Sequence, residues 1–140
     1  MRFDPEQAHA LLPRVDPGRV RSGRAVGLRD GAVLALVAGG LSTGQIAALQ
    51  ASDVTIELGR VLIWLHPHPE INWYVMLHTK LGDRLLAWIR EAKIQDLPVP
   101  LFHGCRGPLT AMGVWKIVER YRHPRPPRRR RKRGRLQSPY

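Results

Sequence analysis

The hydrophobic pattern of this chain changes its period at Asp53, and this change limits the choice of fold. Before Asp53, an almost unbroken apolar run over 26–38 and a short amphipathic segment that begins at Ser42 are typical of helices. After it, the stretches 55–67 and 71–77 are rich in β-branched and aromatic residues, which favours strands. Consecutive strands with no helical pattern between them predict an antiparallel sheet.

Helical spacing returns over 81–93 and 109–121, and Gly59 divides the first β-rich stretch into two. We therefore expect an α+β fold that is mainly helical, with a small three-stranded antiparallel sheet. The four tryptophans fall at positions that we expect to face the core: Trp64, Trp73, Trp88 and Trp115.

Residues that commonly begin and end helices support these assignments. Asp4 precedes Pro5 at the start of a short helix within 3–15, and Ser42 stands three residues before Gln45, which is the spacing of a capping box. Gly39 and the glycine after it end the apolar helix. Thr110 is the predicted cap of the last helix.

The positive charge is concentrated at one end of the sequence. Residues 1–119 hold 13 basic and 11 acidic residues, whereas residues 120–140 hold ten basic residues and no acidic one, within a total net charge of +12. Apolar residues also become rare after Tyr121, so we divide the chain into a folded part, 1–121, and a disordered basic tail, 122–140. The predicted nucleic-acid contacts are Arg120, Arg122, Arg125, Arg128, Arg129, Arg130, Arg131, Lys132, Arg133 and Arg135.

The composition favours a cytoplasmic protein with no membrane partner. The single cysteine, Cys105, excludes an internal disulfide and is typical of a reducing compartment. The first residues include Asp4 and Glu6 and no hydrophobic leader, and no apolar run approaches the roughly 20 residues of a membrane helix. His66 and His68 alternate, but the prolines after them disfavour strand pairing and no third ligand is fixed by spacing, so we expect no metal and no other cofactor.

Several motifs follow one another in a fixed order between about residues 4 and 121. Arg29-Asp30 leads Leu34 and Leu36 in the apolar helix, and Gly40-Leu41 is followed without gaps by Gln45, Ile46, Leu49 and Asp53. The sheet, the LLAWI helix and Pro108-Leu109-Thr110 come next. In this order and spacing the chain resembles the N-terminal part of the catalytic domain of tyrosine recombinases, the phage-integrase family. The resemblance implies a DNA-binding protein related to DNA integration and recombination.

The charged catalytic groups that the resemblance implies do not appear at the matching positions. Ser42 stands where the family has its first arginine, and residues 66–70, HPHPE, lack the family lysine. The family's His-x-x-Arg helix and nucleophilic tyrosine would follow the Thr110 helix, where this chain has its arginine tail. We therefore expect a truncated and degenerate relative that is not an enzyme.

Three other matches to the family's catalytic residues have simpler explanations. His103 and Arg106 have the His-x-x-Arg spacing but lie in a loop that precedes the Thr110 helix. Tyr140 has no helix before it, so we do not assign it as a nucleophile. Arg29 is expected to pair near the start of its helix and to have a structural role.

The functional hypothesis is nonspecific binding to the DNA backbone through the tail. A full-length recombinase is a candidate partner, and so is a second copy, because Leu36, Ile46 or Trp115 would be left partly exposed in a shortened domain. One alternative is a helix-turn-helix regulator that reads DNA with Gln45 or Gln50, although a β-rich stretch follows where a recognition helix is needed. Another is an RNA-binding accessory protein, and a tail without selected purpose is also left open.

Overall fold

The computed structural model describes residues 2–18 and 23–124. Five α-helices and a three-stranded sheet form an α+β fold, as predicted. The helices are α1 (Pro5–Leu11), α2 (Arg24–Ala38), α3 (Thr43–Ala48), α4 (Thr79–Ala92) and α5 (Ala111–Arg122). The strands of the sheet are β1 (Val54–Glu57), β2 (Arg60–His68) and β3 (Ile71–Leu77), and a two-stranded ribbon follows with β4 (His103–Gly104) and β5 (Gly107–Pro108).

Helix α2 forms the centre of the core. Every residue from Ala32 to Ala38 is buried, which confirms the buried helix predicted from the apolar run. Helix α4 packs along it with one apolar side, and the indole Nε1 of Trp88 donates to the carbonyl of Leu101 at 2.8 Å. In α4, Gly82 is buried, and so are the large apolar residues that the spacing predicted to be buried: Leu81, Leu85, Trp88 and Ile89.

The predicted helix caps are confirmed. Asp4 Oδ1 accepts from the amide of Glu6 at 3.0 Å, and Thr110 Oγ1 accepts from the amide of Gly113 at 3.0 Å. At the start of α3, Ser42 Oγ accepts from the amide of Gln45, and the side chain of Gln45 accepts from the amide of Ser42 at 2.8 Å. Ser42 is therefore fully engaged in a capping box.

The sheet is antiparallel throughout, in the order β1–β2–β3. Leu58 and Gly59, both with positive φ, make the turn between the first two strands. We expected the prolines after His66 to stop strand pairing, but β2 continues to His68, which pairs with Ile71 after an irregularity in the register. The ladder is thus interrupted rather than ended.

One expectation about the core is wrong and another holds in part. Trp73 is 56% exposed, because the side chains on its face of β3 become steadily more exposed from Leu77 through Val75 towards the β2–β3 hairpin. We expected partial exposure at Leu36, Ile46 or Trp115; Leu36 and Ile46 are buried, whereas Trp115 is half-buried. Of the tryptophans only Trp88 is fully buried, while Trp64 and Trp115 are half-buried.

Helix α5 is followed by His123 and Pro124, where the described residues end. The rest of the predicted disordered tail, residues 125–140, lies outside them. Within the described ranges no helix has both the length and the apolar character needed to cross a membrane.

Candidate nucleic-acid interface at the end of α5

The last turn of α5 carries the first two residues of the predicted binding set. Thr110 caps the helix, and Val114, Ile117 and Val118 bury one side of it, partly against α3. That packing places Arg120 and Tyr121 against Asp30 of α2. The basic tail therefore continues from a helix end whose position is fixed by the core.

The carboxylate of Asp30 ties this helix end to α2. Asp30 is fully buried, and the hydroxyl of Tyr121 donates to its Oδ2 at 2.7 Å. Arg29 donates to Oδ1 from Nε at 3.2 Å and from Nη2 at 3.0 Å, and Arg120 Nη1 lies 3.4 Å from Oδ2. A buried charge is tolerated when it is paired and hydrogen-bonded in this way.

Tyr121 is held in its protonated form by this arrangement. Burial raises the pKa of the phenol well above its usual range, and the hydrogen bond to Asp30 raises the pKa further. The hydroxyl is thus a hydrogen-bond donor to Asp30. It lacks the lowered pKa that would activate a nucleophile.

Arg29 has the structural role expected from the sequence. Its side chain is only 14% exposed, it pairs with Asp30, and its Nη1 donates to the carbonyl of His103 at 3.1 Å. It therefore joins α2, the β4–β5 ribbon and, through Asp30, the end of α5.

A second arginine reaches the same helix end from the N-terminal segment. Arg14 Nη1 donates to the main-chain carbonyl of Tyr121 at 2.8 Å, where a cation also interacts favourably with the helix dipole. Arg122 pairs with Glu119 at 3.1 Å. Among the described residues in these contacts, the guanidinium groups outnumber the carboxylates four to two, which is an excess of positive charge: Arg14, Arg29, Arg120 and Arg122 against Asp30 and Glu119.

Two of the ten predicted contacts can be placed. The side chain of Arg120 is 56% exposed and that of Arg122 is 35% exposed, so both can reach solvent although each also contacts a carboxylate. The other eight lie outside the described residues: Arg125, Arg128, Arg129, Arg130, Arg131, Lys132, Arg133 and Arg135.

The remaining candidates of the sequence do not converge on one centre. His103 and Arg106 are exposed in the β4–β5 ribbon, beside the free thiol of Cys105. His66 lies at the β2–β3 hairpin, with Nδ1 2.7 Å from Asn72 Oδ1 and Nε2 3.0 Å from Asp53 Oδ1. Across residues 2–18 and 23–124, no cluster of three His, Cys, Asp or Glu side chains could hold a metal ion.

The segment that follows α3 bears on the helix-turn-helix alternative. After Ala48 the chain forms a single 3₁₀ turn, Ala51–Asp53, and then enters β1. A recognition helix would have to occupy this place.

The Tyr121–Asp30 contact was not anticipated from the sequence. The adjacent pair Arg29-Asp30 was noticed, but 91 residues separate Asp30 from Tyr121 and no local pattern links them. No family model matches the chain, and no match to a curated protein reaches significance.

Proposed function

We propose that this protein binds DNA through the phosphate backbone, mainly with the basic residues of 120–135, and that it acts by binding alone. The observation that carries the proposal is the separation of charge: ten basic residues and no acidic one follow Glu119, whereas the preceding 119 residues hold 13 basic and 11 acidic ones. Clustered arginines neutralise phosphates without a folded reading surface. Binding of this kind is independent of sequence and steeply dependent on salt.

The choice of DNA rests on the resemblance to tyrosine recombinases, which act on DNA. Under this proposal the protein belongs to DNA integration or recombination and modulates a full-length recombinase by occupying its substrate. The fixed end of α5 supports the proposal further, because it places the start of the tail beside the excess positive charge around Arg14, Arg120 and Arg122.

The engagement of two hydroxyl groups supports the non-catalytic part. Ser42 Oγ caps α3, and the Tyr121 hydroxyl donates to Asp30. Phosphoryl transfer through a tyrosine requires fixed positive donors around the reacting phosphate. In the part of the chain that the structure describes, the arginines nearest Tyr121 are occupied by Asp30, Glu119 and main-chain carbonyls.

The test is a salt series of fluorescence-anisotropy titrations with duplex DNA. The variant Arg128→Gln/Arg129→Gln/Arg130→Gln/Arg131→Gln removes four tail charges, and we expect the slope of log K against log salt to fall by roughly 3 to 4. The matched control removes four exposed charges of the folded part: Arg90→Gln, Lys93→Gln, Arg106→Gln and Lys116→Gln.

If the control variant loses as much affinity as the tail variant, the binding surface is on the folded part and the proposal is wrong. Two further measurements complete the test. Single-stranded RNA bound more tightly than duplex DNA at every salt concentration would replace DNA by RNA as the partner. Nicking of supercoiled plasmid with a covalent protein–DNA product would refute the non-catalytic part.

A further inference from the structure

Strand β3 is an open edge of the sheet. It has seven residues, and within the described residues its main chain pairs only with β2. Its other side thus presents unpaired amide and carbonyl groups. Such an edge accepts another strand unless the sequence protects it.

The sequence of β3 contains neither the charged residue nor the proline that commonly protects an edge strand. INWYVML has no charged residue and no proline, and four of its apolar side chains are about half exposed: Ile71 (51%), Trp73 (56%), Tyr74 (52%) and Met76 (45%). The opposite edge, β1, is only four residues long and ends in the charged residue Glu57. Short length and charge are two ways in which natural sheets block edge pairing.

We propose that β3 pairs antiparallel with β3 of a second copy of this chain, around a two-fold axis at Tyr74, so that two three-stranded sheets join into one of six strands. In this register Tyr74 lies opposite its own counterpart. Trp73 lies opposite the partner's Val75, and Asn72 opposite the partner's Met76. Every cross-strand pair is uncharged, and the apolar side chains that are exposed in one copy cover one another.

Charges at the two ends of β3 favour a second copy in the antiparallel direction. Glu70 precedes the strand and Lys80 follows it, and neither side chain has an ion-pair partner among the described residues. His78 lies between the strand and Lys80, and its Nδ1 accepts from the amide of Lys80 as the cap of α4. Antiparallel pairing at Tyr74 places Glu70 opposite the partner's His78, within side-chain reach of the partner's Lys80. The two-fold axis repeats the contact at the other end. Parallel pairing would instead bring two Glu70 carboxylates together.

Dimerisation would change how many DNA segments one particle can bind. Two tails on one particle raise the effective concentration of the second tail once the first is bound. The dimer could therefore hold two DNA segments. The β3 contact itself does not depend on the tail, so the inference stands or falls separately from the proposed function.

The first experiment is sedimentation velocity over a concentration series of the full-length, nucleic-acid-free protein. We expect a reversible monomer–dimer equilibrium, with dimerisation weakened about 100-fold or more by Trp73→Lys or Met76→Lys, since a charge is buried against an apolar strand. Ile56→Lys is the matched control, because Ile56 is 49% exposed on the opposite edge strand. Melting temperatures verify that each variant is folded.

The second experiment tests the register by exchanging charges. Glu70→Lys alone should weaken the dimer by roughly 3- to 10-fold, and Glu70→Lys combined with Lys80→Glu should restore it, at about 0.15 M salt. A wild-type protein that stays monomeric, a dimer lost equally with Ile56→Lys, or a charge exchange that restores nothing would overturn the proposal. The tail variant Arg128→Gln/Arg129→Gln/Arg130→Gln/Arg131→Gln should still dimerise, which separates this result from the test of DNA binding.

Discussion

At the scale of single residues, the buried carboxylate of Asp30 depends on its hydrogen bonds with Arg29, Arg120 and Tyr121. Tyr121→Phe removes one hydrogen bond to a charged group and should lower the free energy of unfolding by about 1.5–3 kcal/mol. Asp30→Ala leaves the partly buried guanidinium of Arg29 without its carboxylate and should cost about 3–5 kcal/mol. Urea unfolding measures both, and Tyr74→Phe, at an exposed tyrosine, is the matched control.

The raised pKa of Tyr121 adds a pH dependence to the same contact. Because the pKa in the folded protein lies above the unfolded value of about 10, the stabilisation is fully present below pH ~10 and is lost as the pH rises towards the folded pKa. Unfolding curves from about pH 9 to 11 should therefore converge for wild type and Tyr121→Phe. A constant gap across that range would contradict the assignment.

His66 provides a second titration, near neutral pH. The hydrogen bond to Asn72 and then the one to Asp53 raise its pKa above the usual value of 6.5. Its contribution to stability is present below about pH 6.5 and is lost as the pH rises through the folded pKa. NMR titration should show Asp53→Asn lowering the pKa of His66, whereas Glu57→Gln, which removes a carboxylate that does not contact the imidazole, should leave it unchanged.

At the scale of elements, helix α4 packs tightly against strand β2 at Gly82. A Cβ there would lie 2.9 Å from Val61 Cγ2 and 3.3 Å from Val61 Cβ, so α4 would have to move away from β2. Gly82→Ala should cost about 1–3 kcal/mol through overpacking, even though alanine is the better helix former. Gly44→Ala in α3, where a Cβ would meet no atom within 4 Å, should be neutral or stabilising when both are measured by thermal unfolding.

The elements also show which structural features could be predicted from the sequence alone. Caps at Ser42 and Thr110 and the buried side of α4 depend on residues within a few positions of one another, and these predictions are confirmed. The exposure of Trp73 depends on where the helices stop covering β3. The contact between Asp30 and Tyr121 depends on how α2 and α5 pack. Neither is encoded in a local spacing, so neither could be predicted.

At the scale of the whole molecule, stability and binding should be separable. The core contacts of the described residues involve α2, α4, α5 and the sheet, while eight of the predicted DNA contacts lie beyond Pro124. The tail variant Arg128→Gln/Arg129→Gln/Arg130→Gln/Arg131→Gln should therefore change the free energy of unfolding by less than about 0.5 kcal/mol while weakening DNA binding. Chemical denaturation of the nucleic-acid-free protein checks this, and a large loss of stability would show that the tail contributes to the fold.

The contacts around α1 and α5 also have a consequence for how the chain reaches its native state. Hydrogen bonds join Arg14 to Tyr121, Tyr121 to Asp30, and Arg84 to Leu12 across 107, 91 and 72 positions of sequence. During synthesis Asp30 leaves the ribosome well before Tyr121, so until α5 has emerged its carboxylate can pair with Arg29 but not with Tyr121 or Arg120. Contacts of such long range slow folding. The buried carboxylate of Asp30 therefore gains its full set of partners only in the last stage of folding, when α5 packs against α2.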